Sequence, residues 1–273
     1  SCLVRGSHVI IFKYKRKEGA AVPKLSVLIL AKNEENNLHD CISSVKFADE
    51  VLVIDDGSTD RTKEVAVSLG ARVIEHAMNG DWGGQQTFAI RQAAHPWVLF
   101  LDADERISEP LAEEIKAAVA KDEQVAYWIQ RENKFHFNKA THGILRPDFV
   151  DRLFPAKDSY VIGLVHPKIV TPYPNKKLKN LMYHYTYDNW NQYFGKFNNY
   201  TKLAAEKYHQ EGKHCNFVRD IMFRPAWAFF KIYFLNLGFL DGRLGFIFSV
   251  NHFFYTMTKY VRLYYLEKSN GKL

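Results

Sequence analysis

Cysteine is scarce in this chain, and no long uninterrupted apolar run is present. The three cysteines, Cys2, Cys41 and Cys215, are scattered along 273 residues and match no metal-binding or redox spacing. A membrane-spanning helix needs about 20 mainly apolar residues, and charged or amide side chains interrupt the apolar stretches before that length. These absences exclude a disulfide-stapled scaffold, a cysteine-ligated metal site and a clear membrane span.

Acidic residues are sparse in the C-terminal third of the chain. Lysine plus arginine number 37 against 30 aspartates and glutamates, which gives a formal net charge of +7. The basic excess is concentrated after residue 165. No zinc-finger spacing or other nucleic-acid signature accompanies it, so nucleic acid is not an expected partner. Anionic lipid headgroups explain the bias better.

The N-terminus has little that predicts structure. The segment from Leu3 to His8 resembles a protease site and cloning remnant. Residues 1–23 are therefore assigned to an expression remnant and leader outside the fold. No convincing secretory signal is present there, and the scattered cysteines fit a reducing cytoplasm.

Three apolar runs, each followed by polar or acidic residues, indicate buried parallel strands. They are Leu25–Leu30, Val51–Ile54 and Val98–Leu101. Segments with apolar residues at helical spacing alternate with them, at 36–47, 62–69 and 85–94. Strands that alternate with helices predict an α/β fold with a mostly parallel sheet flanked by helices. Because ligands bind at the carboxyl ends of such strands, the acidic residues are expected to line one edge of the sheet.

Asp102 and Asp104 follow the third apolar run and are spaced i, i+2. Hard cations such as Mg²⁺ take oxygen ligands, commonly one or two carboxylates together with substrate phosphates. An Asp-x-Asp pattern after a buried strand therefore favours a metal–diphosphate site. Surface loops often contain the same pattern, so it indicates a metal–diphosphate site only when other motifs of the chain support it.

Three motifs in sequence order supply that weight. They are Ala-Lys-Asn-Glu-Glu at 31–35, Asp-Asp-Gly-Ser-Thr-Asp at 55–60 and Leu-Asp-Ala-Asp-Glu at 101–105. With this order and spacing the chain resembles the family 2 glycosyltransferases of the GT-A fold, a Rossmann-like α/β class. Within the family it is most similar to bacterial lipopolysaccharide-core and related cell-surface enzymes. The resemblance is strong from Lys24 to Ser108 and continues more weakly to the C-terminus.

The resemblance implies roles for four acidic residues. Glu34 and Asp56 would bind the nucleoside part of a nucleotide-sugar donor, and Asp102 would lie near the ribose or the sugar. Asp104 would ligate Mg²⁺ or Mn²⁺, which bridges the donor's two phosphates. A carboxylate accepts a hydrogen bond from a uracil N–H, which suits Asp56 and a UDP-sugar. Turn chemistry is the alternative for Asp56, and Asp60 is expected to serve only as a helix cap.

One departure from the family pattern concerns the donor side. Related enzymes often have Lys-Asn where this chain has Gln86-Thr87, so a potential phosphate-binding charge is missing. Gln85 and Gln86 remain candidates for hydrogen bonds to a sugar or a phosphate. Trp82-Gly83-Gly84 precedes them and predicts either a flexible donor-side loop or an ordinary glycine-rich turn.

An inverting transfer needs a general base for the acceptor hydroxyl. The stretch at 147–154, Pro-Asp-Phe-Val-Asp-Arg-Leu-Phe, resembles a Pro-Asp…Arg-Leu-Phe element of the core enzymes, and Asp148 matches its acidic position. Asp151 is the second candidate, with an exposed strand or turn residue as the alternative. His166 is a further candidate for base, metal ligand or sugar contact, because Pro167 replaces a glutamate of the family here. A lone histidine is more often a structural hydrogen-bonding residue.

The C-terminal segment from Phe217 to Leu266 is rich in aromatic residues and bounded by basic ones. Such helices suit a membrane interface. Basic residues expected to meet phosphate headgroups are Arg219, Arg224, Lys259, Arg262 and Lys268. The alternative is a helical hairpin packed on the sheet or on a second subunit, which would make the protein a homo-oligomer. The predicted order is a nucleotide-sugar-binding half at 24–110, an acceptor-binding half at 111–212 and a membrane-associating tail at 213–273.

These patterns together predict a metal-dependent inverting glycosyltransferase. Its donor would be a nucleotide sugar, and its acceptor a hydroxyl on a lipid-linked saccharide such as lipopolysaccharide core. The expected location is the cytoplasmic face of the bacterial inner membrane, with peripheral or monotopic attachment. A polyprenyl-phosphate glycosyltransferase is the nearest alternative, and a non-catalytic nucleotide-sugar-binding or membrane scaffold protein is an alternative of another class.

Overall fold

The computed structural model describes residues 22–135, 138–140, 142–145, 148–164, 167–187, 190–269 and 271. The chain divides into two compact units. The first comprises Ser1–Ala103, Glu109–Trp128 and Asp151–Leu178, and the second comprises Asp104–Ser108, Ile129–Val150 and Lys179–Leu273. The sequence-based boundaries near residues 110 and 212 divide the chain by function and stay predictions.

The described residues form an alternation of strands and helices over the N-terminal third, followed by strands and then by helices. In chain order the elements are β1 (Leu25–Ala31), α1 (Glu35–Ser43), β2 (Glu50–Asp55), α2 (Thr62–Ser68), β3 (Arg72–Glu75), α3 (Trp82–Gln92), β4 (Trp97–Asp102), β5 (Glu105–Ile107), α4 (Glu109–Lys121), β6 (Ala126–Phe135), β7 (Asn138–Ala140), β8 (Asp148–Pro155), β9 (Tyr160–Ile162), β10 (Lys168–Val170), β11 (Asn175–Tyr187), α5 (Trp190–Gln210), α6 (Arg224–Phe230) and α7 (Gly242–Lys268). Short 3-10 helices lie at Gly143–Leu145 and Gly238–Asp241, and π-helical turns lie at Phe217–Phe223 and Lys231–Leu235.

The first unit is built on four parallel strands in the order β3-β2-β1-β4. Ile29 on β1 lies beside Val53 on β2 and Leu101 on β4. Next to β4, the last residues of β8 run antiparallel, with Phe154 opposite Val98. The predicted α/β class with a mostly parallel sheet is confirmed.

The apolar runs of β1, β2 and β4 are buried on both faces of the sheet. Val27, Leu28 and Ile29 are consecutive on β1 and have no exposed surface. Consecutive buried residues require cover above and below the sheet, because neighbouring side chains of a strand point to opposite faces. The first unit's core includes Leu28, Phe100 and residues of α3 and β8.

The prediction of a loop or turn at Trp82-Gly83-Gly84 is wrong, because these residues form the first turn of α3. The helix begins at Trp82, and the Asp81 carboxylate accepts a hydrogen bond from the Gly84 N–H at 2.9 Å. Gly83 lies against the segment that follows β9, and its N–H donates to the Gly163 carbonyl at 3.0 Å. The glycines therefore provide a close approach between backbones, and the aspartate before them supplies the helix cap.

The second unit contains antiparallel strands and the C-terminal helices. Its strands follow the order β8-β6-β11-β5, and β7 pairs with β6. His184 on β11 lies opposite Glu105 on β5. Helices α5 and α7 share a buried cluster that includes Ala205, Tyr260 and Leu263. The predicted C-terminal, aromatic-rich helical appendage is confirmed, and none of the helices among the described residues is long and apolar enough to cross a bilayer.

Two glycine substitutions test the packing of α3. A Cβ at Gly83 would lie 2.9 Å from the Gly163 carbonyl oxygen, whereas a Cβ at Gly195 on α5 would meet nothing within 4 Å. We expect Gly83→Ala to lower the free energy of unfolding by roughly 1–3 kcal/mol through overpacking. Gly195→Ala should raise it by about 0.5–1 kcal/mol through a better helix propensity.

Urea denaturation of the three proteins measures both effects. Both substitutions replace glycine by alanine. Changes of opposite sign in the free energy of unfolding would therefore show that the close backbone contact at Gly83 causes its destabilisation. Equal effects of the two variants would contradict this account of the α3 N-terminus.

Candidate active site

The loops that follow β1 and β2 are fastened to each other by side chains. Asn33, at a left-handed φ of 56°, accepts a hydrogen bond from the Thr59 N–H at 2.8 Å. Asp60 accepts hydrogen bonds from the Thr62 N–H at 3.0 Å and the Glu35 N–H at 3.2 Å. Asp60 therefore fixes the start of α2 and also joins the two loops.

Glu34 stands where α1 begins. Its backbone N–H donates to the Thr62 hydroxyl at 2.8 Å, and its carboxylate accepts a hydrogen bond from the Asn37 side chain at 2.9 Å. The structure thus places Glu34 in the same pair of loops as Asp56, at the carboxyl ends of β1 and β2. Its nucleoside-binding role stays a prediction.

Asp56 lies directly after β2, and its two carboxylate oxygens have different partners. One accepts a hydrogen bond from the Met78 N–H at 2.8 Å, and the other pairs with the Lys32 ammonium at 3.0 Å. These two contacts hold the pKa of Asp56 below its ordinary value. Asp56 is therefore an ionised acceptor, and a carboxylate has further lone pairs for a ligand N–H.

Asp102 ends β4, and its carboxylate pairs with the Arg152 guanidinium from β8. Arg152 is buried, whereas about half of the Asp102 side chain (46%) is exposed. The backbone carbonyl of Asp102 also accepts a hydrogen bond from the Cys41 thiol on α1 at 3.5 Å. The acidic end of β4 is thus balanced by a buried cation and kept accessible.

Gln85 and Gln86 lie on α3 and are both buried. The Gln85 amide donates to the His76 backbone carbonyl at 2.7 Å, and its carbonyl oxygen contacts the His76 ring nitrogen Nδ1. Gln85 therefore holds the segment after β3 in place. The predicted donor-binding roles of Gln85 and Gln86 stay predictions.

The second unit brings Asp104 and His184 together. Asp104 lies in the turn between β4 and β5, and its carboxylate oxygen Oδ2 is 3.4 Å from Nε2 of His184. The other ring nitrogen of His184, Nδ1, is 2.8 Å from the Asn133 side-chain oxygen. Since an amide oxygen can only accept, Nδ1 carries a proton and Nε2 is directed at the carboxylate.

This geometry fits a bound cation. His184 Nε2 and Asp104 Oδ2 lie side by side at 3.4 Å, and an imidazole nitrogen and a carboxylate oxygen can both ligate a divalent cation. Histidine metal ligands commonly donate their other N–H to an oxygen, as His184 does to Asn133. Among the residues that the structure describes, no three His, Cys, Asp or Glu side chains form a metal-holding group, so Asp104 and His184 would need oxygen ligands from elsewhere.

Asp148 is held by Arg131 in the second unit. Both guanidinium contacts, one of them 2.9 Å from Nε, fall on the same carboxylate oxygen, Oδ2. Arg131 also lies 3.3 Å from the fully buried Glu105. The arginine therefore fixes the orientation of Asp148 and leaves its second oxygen, Oδ1, outside this ion pair.

Asp151 belongs to the first unit and has a different environment. Burial raises the pKa of its carboxyl group, against the opposing effects of Lys168 and Arg152. Its buried oxygen Oδ1 has no hydrogen-bond partner in the described part of the chain. His166, the remaining candidate base, lies outside the described residues.

Sequence reasoning singled out neither His184 nor Arg131, and it gave Arg152 no role in the site. His184 lies in the antiparallel strand β11, about 80 residues after the aspartate that it faces. A single histidine in a strand carries no spacing signal of its own. Only the pairing of β11 with β5 identifies it, because that pairing places residue 184 beside residue 105.

A parallel sheet with acidic residues at its carboxyl edge is the arrangement of nucleotide-binding α/β enzymes. The family model described as glycosyl transferase family 2 matches residues 26–215. The chain belongs to this family, and its GT-A class follows.

Relatives in bacteria extend over most of the chain. An uncharacterized glycosyltransferase of Rickettsia bellii is 31% identical over 255 residues, which cover 88% of this chain and 85% of the relative. The lipopolysaccharide core biosynthesis glycosyltransferase LpsC of Rhizobium meliloti is 27% identical over 254 residues, with 89% and 93% covered.

Among solved structures, glucosyl-3-phosphoglycerate synthase from Mycobacterium tuberculosis, in complex with Mn²⁺, UDP and glucosyl-3-phosphoglycerate, is similar to part of this chain. The TM-score is 0.34 and the identity 21%, with 45% of this chain and 51% of the other covered.

Proposed function

We propose that this protein is a metal-dependent inverting glycosyltransferase that moves a sugar from a nucleotide sugar to a hydroxyl of a lipid-linked saccharide. The observation that carries the proposal is the different pairing of the two aspartates at the carboxyl end of β4, Asp102 within the strand and Asp104 after it. Asp102 is paired with the Arg152 cation, whereas Asp104 faces a histidine nitrogen. This division suits one carboxylate near the sugar and one at a metal ion.

The donor is a UDP-sugar in this proposal. Asp56 is ionised and held by the Met78 N–H and Lys32, so it can accept the N–H of a uracil ring. Glu34, in the neighbouring loop, contacts the nucleoside, and Gln85 and Gln86 are secondary candidates for donor contacts.

Asp104 and His184 would hold Mg²⁺ or Mn²⁺, with the donor's phosphates as further oxygen ligands. When bound, the ion supplies charge stabilisation for the departing diphosphate. Asn133 orients His184 through Nδ1, and Arg152 balances Asp102. In this proposal Asp104 and His184 act on the donor's diphosphate through the ion, and Asp148 acts on the acceptor hydroxyl.

A thermal-shift experiment with nucleotide sugars, with and without Mn²⁺, tests the donor and the metal together. A ligand present at about 100 times its Kd stabilises the folded state by about 2.7 kcal/mol. We expect a UDP-sugar to raise the Tm, and Mn²⁺ to enlarge the rise. Asp104→Ala and His184→Ala should lose the part that depends on Mn²⁺ and keep the rest.

Asp40→Ala is the matched control, because the Asp40 side chain is 72% exposed on α1. An unchanged Mn²⁺-dependent shift in Asp104→Ala would remove Asp104 from the metal site. Release of UDP over time separates an enzyme from a non-catalytic nucleotide-sugar-binding or scaffold protein, which would show the shift without turnover.

Asp148 is the proposed general base. Arg131 fixes the carboxylate through one oxygen, which leaves the other oxygen to take the proton of the acceptor hydroxyl. The attacking oxygen then forms its bond to the sugar from the face opposite the diphosphate, which leaves with the electron pair of the broken bond. Asp151 and His166 are the alternatives.

We expect Asp148→Asn to lower kcat by about 10²–10⁴-fold, the usual contribution of a general base. The KM for the donor should stay unchanged, and Asp151→Asn should retain most turnover. Steady-state kinetics with a bacterial membrane lipid extract as acceptor measures both. Full turnover in Asp148→Asn, Asp151→Asn and His166→Ala would favour a polyprenyl-phosphate acceptor, which is already anionic and needs no base.

A membrane-surface location follows from the C-terminal helices in this proposal. Within residues 217–247, large apolar side chains with at least 40% exposure are Phe217, Val218, Met222, Phe223, Trp227, Phe230, Phe234, Leu235, Leu237, Phe239, Leu240, Phe246 and Ile247. We name these residues the aromatic face. Lys231 and Arg243 are exposed among them, whereas Arg219 and Arg224 pair with Asp220. Exposed apolar side chains with exposed basic residues among them suit anionic lipid at the cytoplasmic face of the inner membrane.

The similarity to LpsC supports a lipopolysaccharide-core acceptor, since that relative is named for lipopolysaccharide core biosynthesis. A lipid-linked acceptor and a membrane-bound enzyme fit each other, because both are confined to the same surface.

Vesicle sedimentation tests the aromatic face. We expect the protein to bind vesicles that contain phosphatidylglycerol and to bind neutral phosphatidylcholine vesicles less. The double variant Trp227→Ser and Phe230→Ser should weaken binding by tenfold or more, since each buried aromatic side chain contributes about 1.5–3 kcal/mol.

Tyr160→Ser is the matched control, because Tyr160 is an aromatic residue of β9 with similar exposure. Equal sedimentation of the double variant and the control would contradict the lipid-binding role. A dimer that dissociates in the double variant would instead place a second copy of the chain on the aromatic face.

A further inference from the structure

A turn of the C-terminal segment holds the stretch of chain that leads to the proposed base. Residues 234–241, which we name the tail turn, lie between α6 and α7. The His142 N–H donates to Oδ2 of Asp241 at 2.9 Å, and Nδ1 of the same histidine lies 3.0 Å from Oδ1. Only 6% of the Asp241 side chain is exposed, and a shielded carboxylate is costly unless it is hydrogen-bonded. Asp241 therefore fixes the position of residue 142 within the second unit.

Backbone contacts make a second connection between the same two segments. The Gly143 N–H donates to the Asn236 carbonyl at 2.9 Å, and the Asn236 side-chain amide donates to the Gly143 carbonyl at 3.4 Å. Gly143 has a left-handed φ of 63°, and a Cβ there would lie 3.3 Å from the Gly238 Cα. Asp148 begins β8 three residues after the 3-10 helix at Gly143–Leu145 ends. The position of this helix therefore limits where the Asp148 backbone can lie.

The tail turn carries five residues of the aromatic face. They are Phe234, Leu235, Leu237, Phe239 and Leu240, each between 43% and 57% exposed. Leu237 also has a left-handed φ of 61°, a conformation that is unfavourable for a residue with a Cβ. Such strain persists where the surrounding structure fixes the backbone, and it is concentrated at functional sites. Since its side chain is exposed, a contact outside the chain explains a leucine at this position better than core packing does.

We propose that lipid bound at the tail turn positions the proposed base, with Asp241 as the positioning residue that connects the two. The inference rests on the proposed function and extends it from membrane attachment to control of the acceptor side. The five apolar side chains would enter the lipid, while Asp241 and Asn236 keep residues 142 and 143 in place. Asp241 touches no substrate in this proposal and acts through the chain that leads to Asp148.

Linkage gives the direction of the effect. A ligand that binds one conformation better than another shifts the population toward it. Lipid removes the five apolar side chains from water together only while the tail turn presents them together, so it favours the conformation described here. That conformation carries the hydrogen bonds to residues 142 and 143. Lipid should therefore also favour the order of the stretch before Asp148.

Hydrogen–deuterium exchange on the full chain, with and without phosphatidylglycerol vesicles, tests the inference. Exchange reports the local opening of backbone hydrogen bonds. We expect the vesicles to slow exchange in peptides from the tail turn and also in peptides from residues 142–150. His142→Ala should keep the slowing at the tail turn and lose most of it at residues 142–150. His142→Asn should retain most of it, because the asparagine amide offers an N–H donor in place of Nδ1.

Asp241→Asn should act like His142→Ala, because an amide has only one oxygen to accept hydrogen bonds. Asp40→Asn is the matched control: Asp40 lies 3.1 Å from Nδ1 of His39 in the first unit, and its side chain is 72% exposed. Vesicle-dependent slowing that is confined to the tail turn in the wild type would overturn the inference. Unchanged slowing at residues 142–150 in both variants, or no slowing at the tail turn at all, would overturn it as well.

Leu237→Gly separates lipid contact from folding. Glycine adopts a left-handed φ without a steric penalty, so the Tm of this variant should be no lower than that of the wild type. Loss of the leucine side chain should nevertheless weaken vesicle binding about tenfold, and the slowing at residues 142–150 should fall with it. Full vesicle binding by Leu237→Gly would contradict the role of the tail turn in lipid contact.

Turnover separates this inference from the proposed function. With a bacterial membrane lipid extract as acceptor, His142→Ala should lower kcat about 10–100-fold, as a small misplacement of a catalytic group does. The KM for the donor and the UDP-sugar thermal shift should stay unchanged, because the donor residues are intact. An unchanged kcat would overturn the positioning role. A wild type with neither the thermal shift nor turnover would mean that the proposed function fails, whatever the vesicles do to exchange.

Discussion

The balance of negative charge after β4 is the constraint on which the site depends. Asp102 and Asp104 are separated by one residue in the chain, and a nearby opposite charge favours the ionised form of a carboxylate. Arg152 supplies the cation for Asp102, and His184 faces Asp104. Because Arg152 already neutralises Asp102, a divalent ion bound by Asp104 would retain a net positive charge. That charge could attract a diphosphate.

Much of the first unit could be predicted because its signals are local. The runs of β1, β2 and β4 are continuous, and only a sheet covered on both faces buries consecutive residues in this way. The acidic residues directly after them, Asp56 and Asp102, then lie at the carboxyl edge by geometry alone. The same reasoning failed at Trp82-Gly83-Gly84, because glycines that break a helix in isolation here permit close packing against Gly163.

The partners of the site residues could not be predicted, because the sequence of one short segment does not determine the register in which its strand pairs with another. Arg131 reaches Asp148 from β6, and Asn133 reaches His184 from the same strand. Each contact joins residues that are far apart in the chain. The apolar character of the C-terminal helices was evident, but the capture of Arg219 and Arg224 by Asp220 was not, since it depends on how the helical turn at Phe217–Phe223 folds.

The fastening of the loops after β1 and β2 has a thermodynamic consequence. Asn33 and Asp60 hold both loops through hydrogen bonds from backbone N–H groups. A molecule that binds there therefore meets a preorganised surface and loses little free energy in ordering mobile chain. The affinity of that molecule then depends mainly on its contacts with the two loops. Two ligands that differ in base or sugar should therefore differ in affinity by nearly the full difference in their contact free energies.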